Sequence, residues 1–267
     1  MADPYSTLSN QDQQVQNLIA DAMDTRGGED RQQEMLREYL EKIPFPDGAK
    51  VLDVGCGTGV LSGIIANWLG VGETIGVEPA SELINRAMER HSGAKNLTFQ
   101  QGDGRALPFG EGEFDAVIYH TVLCHAPEPE DLLTEAYRVL KPGGALAVFD
   151  GDYVDSTVAL GEDDPLQACM NGFINGFVHD KWIMRRMPLL IRQAGFEITE
   201  SLSHGYMQTS YPGYVKTMID RGTDLLLSQG IIGEALAAAI KDETRVRAEA
   251  GKFKGFVPYG SHIARKT

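Results

Sequence analysis

The sequence predicts an α/β fold with a largely parallel sheet, on three observations. From Lys50 to Asp150, short apolar runs alternate with amphipathic helical segments. That pattern packs helices over a parallel sheet through right-handed crossovers. The first run, Val51-Leu52-Asp53-Val54, passes straight into a glycine-rich turn, Gly55-Cys56-Gly57-Thr58-Gly59. Two acids, Glu78 and Asp103, stand where the next two strands end, at the edge where open α/β sheets take their ligands.

The elements follow in order. Residues 1 to about 45 read as helical, with apolar residues at helical spacing in Asn17-Leu18-Ile19-Ala20 and from Met35 to Leu40. Arg26-Gly27-Gly28-Glu29 reads as a break, and Pro44-Phe45-Pro46-Asp47-Gly48 as a stop. Strands are expected at 51–54, 74–78, 97–101, 114–119 and 145–149, with helices over 60–69, 81–90 and 131–140. Pro142-Gly143-Gly144 is expected to end the last of these helices. Asp164-Pro165 reads as an N-cap and first-turn proline. A further helix is expected from about 180 to 194, a sixth strand in 196–208, helices over 212–250 and a last strand at 256–264. No repeat or low-complexity linker divides the chain, so one domain is expected over 1–267. It comprises an N-terminal helical cover (1–45), a ligand-binding core (48–150) and substrate-side helices with the last two strands (151–267).

The bulk composition narrows the function. A chain of 267 residues with 42% hydrophobic content suits one core with helical additions. Charged residues at 23% do not suggest global disorder. A net charge of -14 argues against a nucleic-acid partner unless a basic patch exists, and the densest run is only Arg185-Arg186 with Lys181. Cys56, Cys124 and Cys169 make an odd count without metal-ligand spacing, as expected of a reducing cytoplasm. Met1-Ala2-Asp3-Pro4 is polar and acidic, unlike a signal peptide, and no apolar run is long enough to span a bilayer. A cytoplasmic protein without a membrane partner is expected, with a homodimer left open. Glu162-Asp163-Asp164 reads with Pro165 as a helix start, so no metal is expected.

The glycine turn carries the chemistry. Its glycines allow a sharp turn and close approach to a ligand, and the following helix offers free amides. Taken alone, the loop could be a tight turn with no ligand. Glu78 is placed to accept ribose hydroxyls, and Asp103, in Gly102-Asp103-Gly104, to accept from an adenine amino group. Either acid alone could be a solvated loop residue; the ordered set is harder to explain that way.

Further motifs join these: Gly76-Val77-Glu78-Pro79, Gly102-Asp103-Gly104-Arg105-Ala106-Leu107-Pro108-Phe109, Phe114-Asp115-Ala116-Val117 and Arg138-Val139-Leu140-Lys141-Pro142-Gly143-Gly144. Over about residues 48–150 the chain resembles the class I S-adenosylmethionine-dependent methyltransferases. The closest resemblance is to their ubiquinone/menaquinone C-methyltransferase-like branch (the methyltransferase type 11 domain). The resemblance implies a Rossmann-like fold with a seven-stranded, mostly parallel sheet, an antiparallel last strand and helical lid insertions. It implies S-adenosyl-L-methionine as cofactor. Asp53 and the loop residues Gly55, Cys56, Gly57 and Gly59 would hold its methionine part. Glu78 and Pro79 would hold the ribose, and Gly102, Asp103, Gly104 and Arg105 the adenine. His120 would lie near the amino-acid part and the reactive methyl. The rival, a nicotinamide-dependent dehydrogenase, would show G-x-G-x-x-G; the spacing here is Gly55-x-Gly57-x-Gly59.

A methyl group on a sulfonium is already electrophilic, so the protein mainly positions and desolvates. Candidates for chemistry follow the fourth and fifth strands. His120 is the first choice as base and Asp152 the second, with His125 and Asp150 also near; the alternative for each is ordinary loop hydrogen bonding. His125, Tyr153, Phe177 and Tyr206 are expected on the substrate side, with His179 and His204 more remote. Met170, Phe173, Phe177, Trp182, Met184 and Met187, and then Met207, Tyr211, Tyr214 and Met218, favour an apolar or aromatic substrate, with core packing as the alternative. The three cysteines resemble those of arsenite methyltransferases only loosely. The expected function is methyl transfer to O, N or C of a small metabolite. The alternative is a protein that binds the cofactor without transfer, as a sensor or as a cyclase or rearrangement catalyst.

Overall fold

The computed structural model describes residues 3–210 and 213–267. Its centre is a seven-stranded sheet of β1 (Ala49–Val54), β2 (Val71–Glu78), β3 (Leu97–Gln101), β4 (Phe114–His120), β5 (Leu140–Gly151), β6 (Phe196–Gln208) and β7 (Gly255–Lys266). The order across the sheet is β3-β2-β1-β4-β5-β7-β6. The first five strands run parallel, and β7 lies antiparallel between β5 and β6. This is the Rossmann-like methyltransferase architecture expected from the motifs, with its antiparallel last strand. Val51, Leu52, Val117, Ile118, Leu146 and Val148 are fully buried, because helices cover both faces of the central strands.

The helices are α1 (Gln13–Gly28), α2 (Asp30–Leu40), α3 (Val60–Ala66), α4 (Ser81–Arg90), α5 (Pro129–Val139), α6 (Pro165–Phe177), α7 (Ile183–Gln193), α8 (Tyr214–Ser228) and α9 (Glu234–Glu249). Asp12 caps α1 by accepting from the Val15 amide, and Asp164 caps α6 by accepting from that of Leu166. Leu8 and Ile19 bury against Leu83 of α4 in a small second core. Full burial of such a side chain contributes about 1.5–3 kcal/mol, which pins the N-terminal segment beside the glycine turn.

Two boundaries differ from the sequence reading. Gly27 and Gly28 do not break the chain; α1 runs through them, and only Glu29 leaves helical geometry (φ -72°, ψ 126°). A side chain at Gly27 would meet Val60 at 2.9 Å, so glycine here allows α1 to dock on α3. Pro142-Gly143-Gly144 does not end α5 directly. The helix stops at Val139, Leu140 is already extended, and the Pro-Gly-Gly segment bulges within β5 while its register with β4 shifts.

Past the core, α6 and α8 pack closely enough that a side chain at Gly222 would meet the Cys169 carbonyl oxygen at 1.9 Å. That approach sets Phe173 and Phe177 of α6 near Tyr214 of α8. Among the described residues no helix is long and apolar enough to cross a membrane. Tyr211, one of the expected substrate-side aromatics, lies outside the described residues, as does Pro212.

Candidate functional site

The strand order reverses between β1 and β4, so their carboxyl ends diverge and open a crevice. The glycine turn fills its mouth. Gly55 holds a left-handed φ of +71°, and a side chain there would meet Val122 at 2.6 Å. The Gly55 and Cys56 amides both donate to the Val77 carbonyl, at 2.7 and 3.1 Å, which ties the turn to β2.

Two buried carboxylates stand under this turn. Asp53 accepts from the Ser62 hydroxyl at 2.6 Å, and burial pushes its pKa up to about 6. Glu78 accepts from the Gly57 amide at 3.1 Å and the Ala80 amide at 3.0 Å. Burial raises its pKa to about 7, against the pull of those two amides. Among the described residues neither carboxylate is ion-paired with a basic side chain. The Cys56 thiol is also held well above its usual range, first by burial and then by these two acids.

Three cavities adjoin here. The largest, about 740 Å³, runs along Pro79, Asp103, Gly104, Arg105 and His125 under Tyr5. The second, about 400 Å³, is lined by Asp53, Gly55, Cys56, Thr58, Arg26 and His120. The third, about 410 Å³, is aromatic, walled by Tyr5, Tyr153, Phe173, Phe177 and Tyr214 with Arg26, Thr121 and His125. Gly55 is shared by the first two, Arg26 and Met23 by the second and third, and Tyr5 and His125 by the first and third.

The chain leaves β4 through a strained turn that assigns neighbouring residues to different cavities. Thr121 has φ +58°, an outlier for a β-branched residue. Its amide donates to the Phe149 carbonyl at 2.7 Å, and its hydroxyl donates to the His120 carbonyl at 2.6 Å and accepts from Arg26 at 2.5 Å. His120 stacks on Phe149 at 4.3 Å and shares a hydrogen bond between Nδ1 and the Tyr39 hydroxyl at 3.1 Å. Its Nε2 is buried without a hydrogen-bond partner among the described residues. Burial, then the charges of Arg26 and His204, hold its pKa well below the ordinary histidine value.

His125 is set differently. Its Nδ1 lies 2.7 Å from Asp3 Oδ2, and its ring stacks on Tyr5 at 4.4 Å. Asp3 is itself buried and also accepts from the Tyr5 and His179 amides at 2.9 and 3.0 Å. The carboxylate therefore orients the imidazole in a ring-nitrogen arrangement common to histidine bases.

Other expected site residues fall elsewhere. Asp152 is bound to Arg185 at 3.0 Å and lines none of these three cavities, because the turn after β5 directs it to the surface. Asp150 is buried and accepts from the Cys124 and Gly151 amides at 3.0 and 2.9 Å, a strand-end role. Tyr206 is buried edge-on to Tyr214 outside the cavities, since its position on β6 faces the core. His204 bridges Glu38 and Ser261 at 2.6 and 2.9 Å. Asp103 is half exposed and paired with Arg105 at 2.7 Å, which lowers its pKa. Met170, Met184, Met187 and Met218 are core residues, and Trp182 and Met207 are exposed.

Sequence reasoning missed Arg26, Asp3 and Tyr5. Each lies in the N-terminal segment read only as a cover. Arg26 carried one available signal: a cation in the last turn of a helix, next to two glycines.

Residues 52–148 match the family model described as Methyltransferase domain. The fold is that of the class I methyltransferases. An arsenite methyltransferase of Aquipseudomonas alcaligenes is 33% identical over 174 residues, covering 58% of this chain and 49% of that protein. Other curated relatives are likewise matched over less than half of their length. Among solved structures, the [4+2]-cyclase SpnF has a TM-score of 0.64 at 20% identity, covering 100% of this chain and 98% of its own. Geranyl diphosphate methyltransferase in complex with SAM has a TM-score of 0.54 at 14% identity, over 88% and 86% of the two chains.

Proposed function

We propose that this chain transfers a methyl group from S-adenosyl-L-methionine to a small apolar or aromatic acceptor held in the aromatic cavity. One observation carries the reading: Asp53 and Glu78 are buried carboxylates with no basic partner among the described residues, under a backbone-lined turn at the sheet's switch point. Buried charge calls for a counter-charge or hydrogen-bond donors. A ligand with an ammonium, a sulfonium and ribose hydroxyls answers both acids, and a dinucleotide pyrophosphate would be repelled. The methyltransferase domain match supports the same reading, and the core motifs support the ubiquinone/menaquinone C-methyltransferase-like branch.

When bound, the cofactor supplies an electrophilic methyl and leaves as a neutral thioether. Asp53 faces its ammonium, Gly55, Cys56, Gly57 and Gly59 cradle the amino-acid part, and Glu78 with Pro79 takes the ribose. Gly102, Asp103, Gly104 and Arg105 take the adenine in the largest cavity. His120 serves as a neutral hydrogen-bonding group toward the cofactor. Tyr153 and Phe177 wall the acceptor and exclude water. His125, fixed by Asp3, accepts the acceptor's proton through Nε2 as the new bond to the methyl forms. The acidic charge and the cysteine usage support a cytoplasmic, small-molecule role.

Calorimetric titration should show S-adenosylmethionine and S-adenosylhomocysteine binding, with no binding of NAD. Incubation with labelled cofactor and a metabolite library should yield S-adenosylhomocysteine together with a methylated product. Conversion of a library compound without S-adenosylhomocysteine would instead mark a rearrangement or cyclisation, and binding of NAD alone would overturn the reading.

A further inference from the structure

The aromatic cavity has an electrostatic character that the chain as a whole lacks. The protein carries a net charge of -14, yet among the described residues no carboxylate lines this cavity. Arg26 reaches into it from α1. The described partners of its guanidinium are neutral: the Thr121 hydroxyl, at 2.5 Å from Nη2, and Tyr214, whose ring centre lies 5.9 Å away. A second cation, Arg221, stands behind the same wall. It donates to the Tyr5 hydroxyl at 2.8 Å and lies 4.1 Å from the Phe177 ring centre. Among the described residues neither guanidinium has a carboxylate within ion-pair distance. Enclosing an uncompensated guanidinium is costly, and the cost is relieved by an anion in the space it faces. With one Nη2–H engaged on Thr121, the guanidinium retains other N–H donors of its planar fork for a carboxylate.

We propose that the acceptor is a small aromatic carboxylate. Its ring lies among Tyr5, Tyr153, Phe173, Phe177 and Tyr214, and its carboxylate rests on Arg26. The flat walls suit a planar ring, which stacks or meets aromatic edges at such distances. Holding the anion on Arg26 fixes which atom of the ring system turns toward the second cavity. This inference rests on the functional reading above. Because Arg26 also borders the second cavity, the same carboxylate chemistry could come from the cofactor's own amino-acid group, and the experiment separates the two sources.

Wild-type protein saturated with S-adenosylhomocysteine is titrated with benzoate, cinnamate and indole-3-acetate, each against its primary amide. At least one acid should bind about 10-fold or more tightly than its amide, the worth of a charge-assisted contact. In Arg26→Gln that preference should vanish while S-adenosylhomocysteine affinity stays within about threefold. Arg26→Lys, which keeps the charge without the fork, should retain a reduced preference. Equal binding of every acid and its amide to the wild type would overturn the proposal. So would an Arg26→Gln protein that keeps the acid preference but loses S-adenosylhomocysteine affinity, since the guanidinium would then serve the cofactor. Failure of the wild type to bind S-adenosylhomocysteine sinks the functional reading instead, while an acid preference lost with Arg26 would still identify the anion site.

Discussion

The cavities beside the glycine turn and the aromatic cavity share walls but are built by different means. The former take Asp53, the turn and Glu78 from one short stretch of chain, fixed by backbone hydrogen bonds to Val77, by the Glu78 carboxylate on two backbone amides and by Asp53 on the Ser62 hydroxyl. The aromatic cavity collects Tyr5, Arg26, Thr121, Tyr153, Phe173 and Tyr214 from six separate parts of the chain. The first design binds one ligand through a fixed frame. The second can change its acceptor by side-chain replacement without disturbing that frame. The charges differ as well: buried acids face one side, and on the other stand guanidinium groups with no carboxylate partner among the described residues, as a cationic cofactor and the proposed anionic acceptor require.

The largest expected effect would break this division of labour. His125→Asn removes the base and its alignment by Asp3 while keeping a polar side chain. Turnover should fall by about 10²–10⁴-fold, with S-adenosylhomocysteine affinity little changed, as read from steady-state kinetics and calorimetry. A variant with wild-type turnover would reduce the aromatic half to a binding surface that needs no base. On the other side, Glu78→Ala should weaken cofactor affinity by about 10–100-fold. Asp103→Ala should do less, because Asp103 is half exposed and shares its charge with Arg105. If both variants, shown to be folded, bound as tightly as wild type, the cofactor would lie elsewhere.

The same contrast explains what was legible in the sequence. Val51 to Gly59, Glu78 and Asp103 are local patterns whose spacing along the chain places them at neighbouring strand ends, so the sheet and the cofactor edge could be read directly. The antiparallel direction of β7 came only through family resemblance, since alternation alone does not fix it. Arg26 and Tyr5 were not read as site residues because their role depends on how α1 and the N-terminal segment dock over the sheet. The docking rests on contacts such as Leu8 with Leu83 and Gly27 with Val60. Asp152 shows the reverse case: its sequence position after β5 was right for a site residue, but Arg185 holds it at the surface.

A smaller effect concerns pH. The ligand-free values of about 6 for Asp53 and about 7 for Glu78 lie above the ordinary 3.8 and 4.5. Raised carboxyl values stabilise the fold at low pH, and that contribution is lost as pH rises from about 4 through 7. Melting of the ligand-free protein should accordingly show these two acids lowering stability across that window. A cationic ligand favours the ionised acids, so its affinity should rise over pH 6–7, by at most about tenfold per unit for each proton released. Calorimetry at pH 6 in buffers of different ionisation enthalpy should report proton release on binding. Proton uptake would mean that the acids do not meet the cofactor's positive charge.

The smallest expected change in rate is at His120, and it sharpens the comparison between two histidines five residues apart. His120 looks catalytic by position, since it ends β4 at the cofactor edge. Its surroundings argue otherwise. The ring is buried against Phe149, bonded to Tyr39, and close enough to Arg26 and His204 for their charges to oppose protonation. Accepting a proton there would create a buried imidazolium beside an existing guanidinium. His125 instead has its Nδ1 held 2.7 Å from the Asp3 carboxylate. His120→Asn should therefore keep turnover at saturation within about tenfold of wild type. The loss should appear in stability, by about 1–3 kcal/mol if the Tyr39 hydroxyl is left unpaired, and modestly in cofactor affinity. Saturating kinetics, calorimetry and thermal denaturation on one preparation separate these contributions. A fall in turnover of about 10²-fold or more with affinity intact would move the base to His120, and with it the proton-transfer chemistry from the aromatic half to the cofactor half.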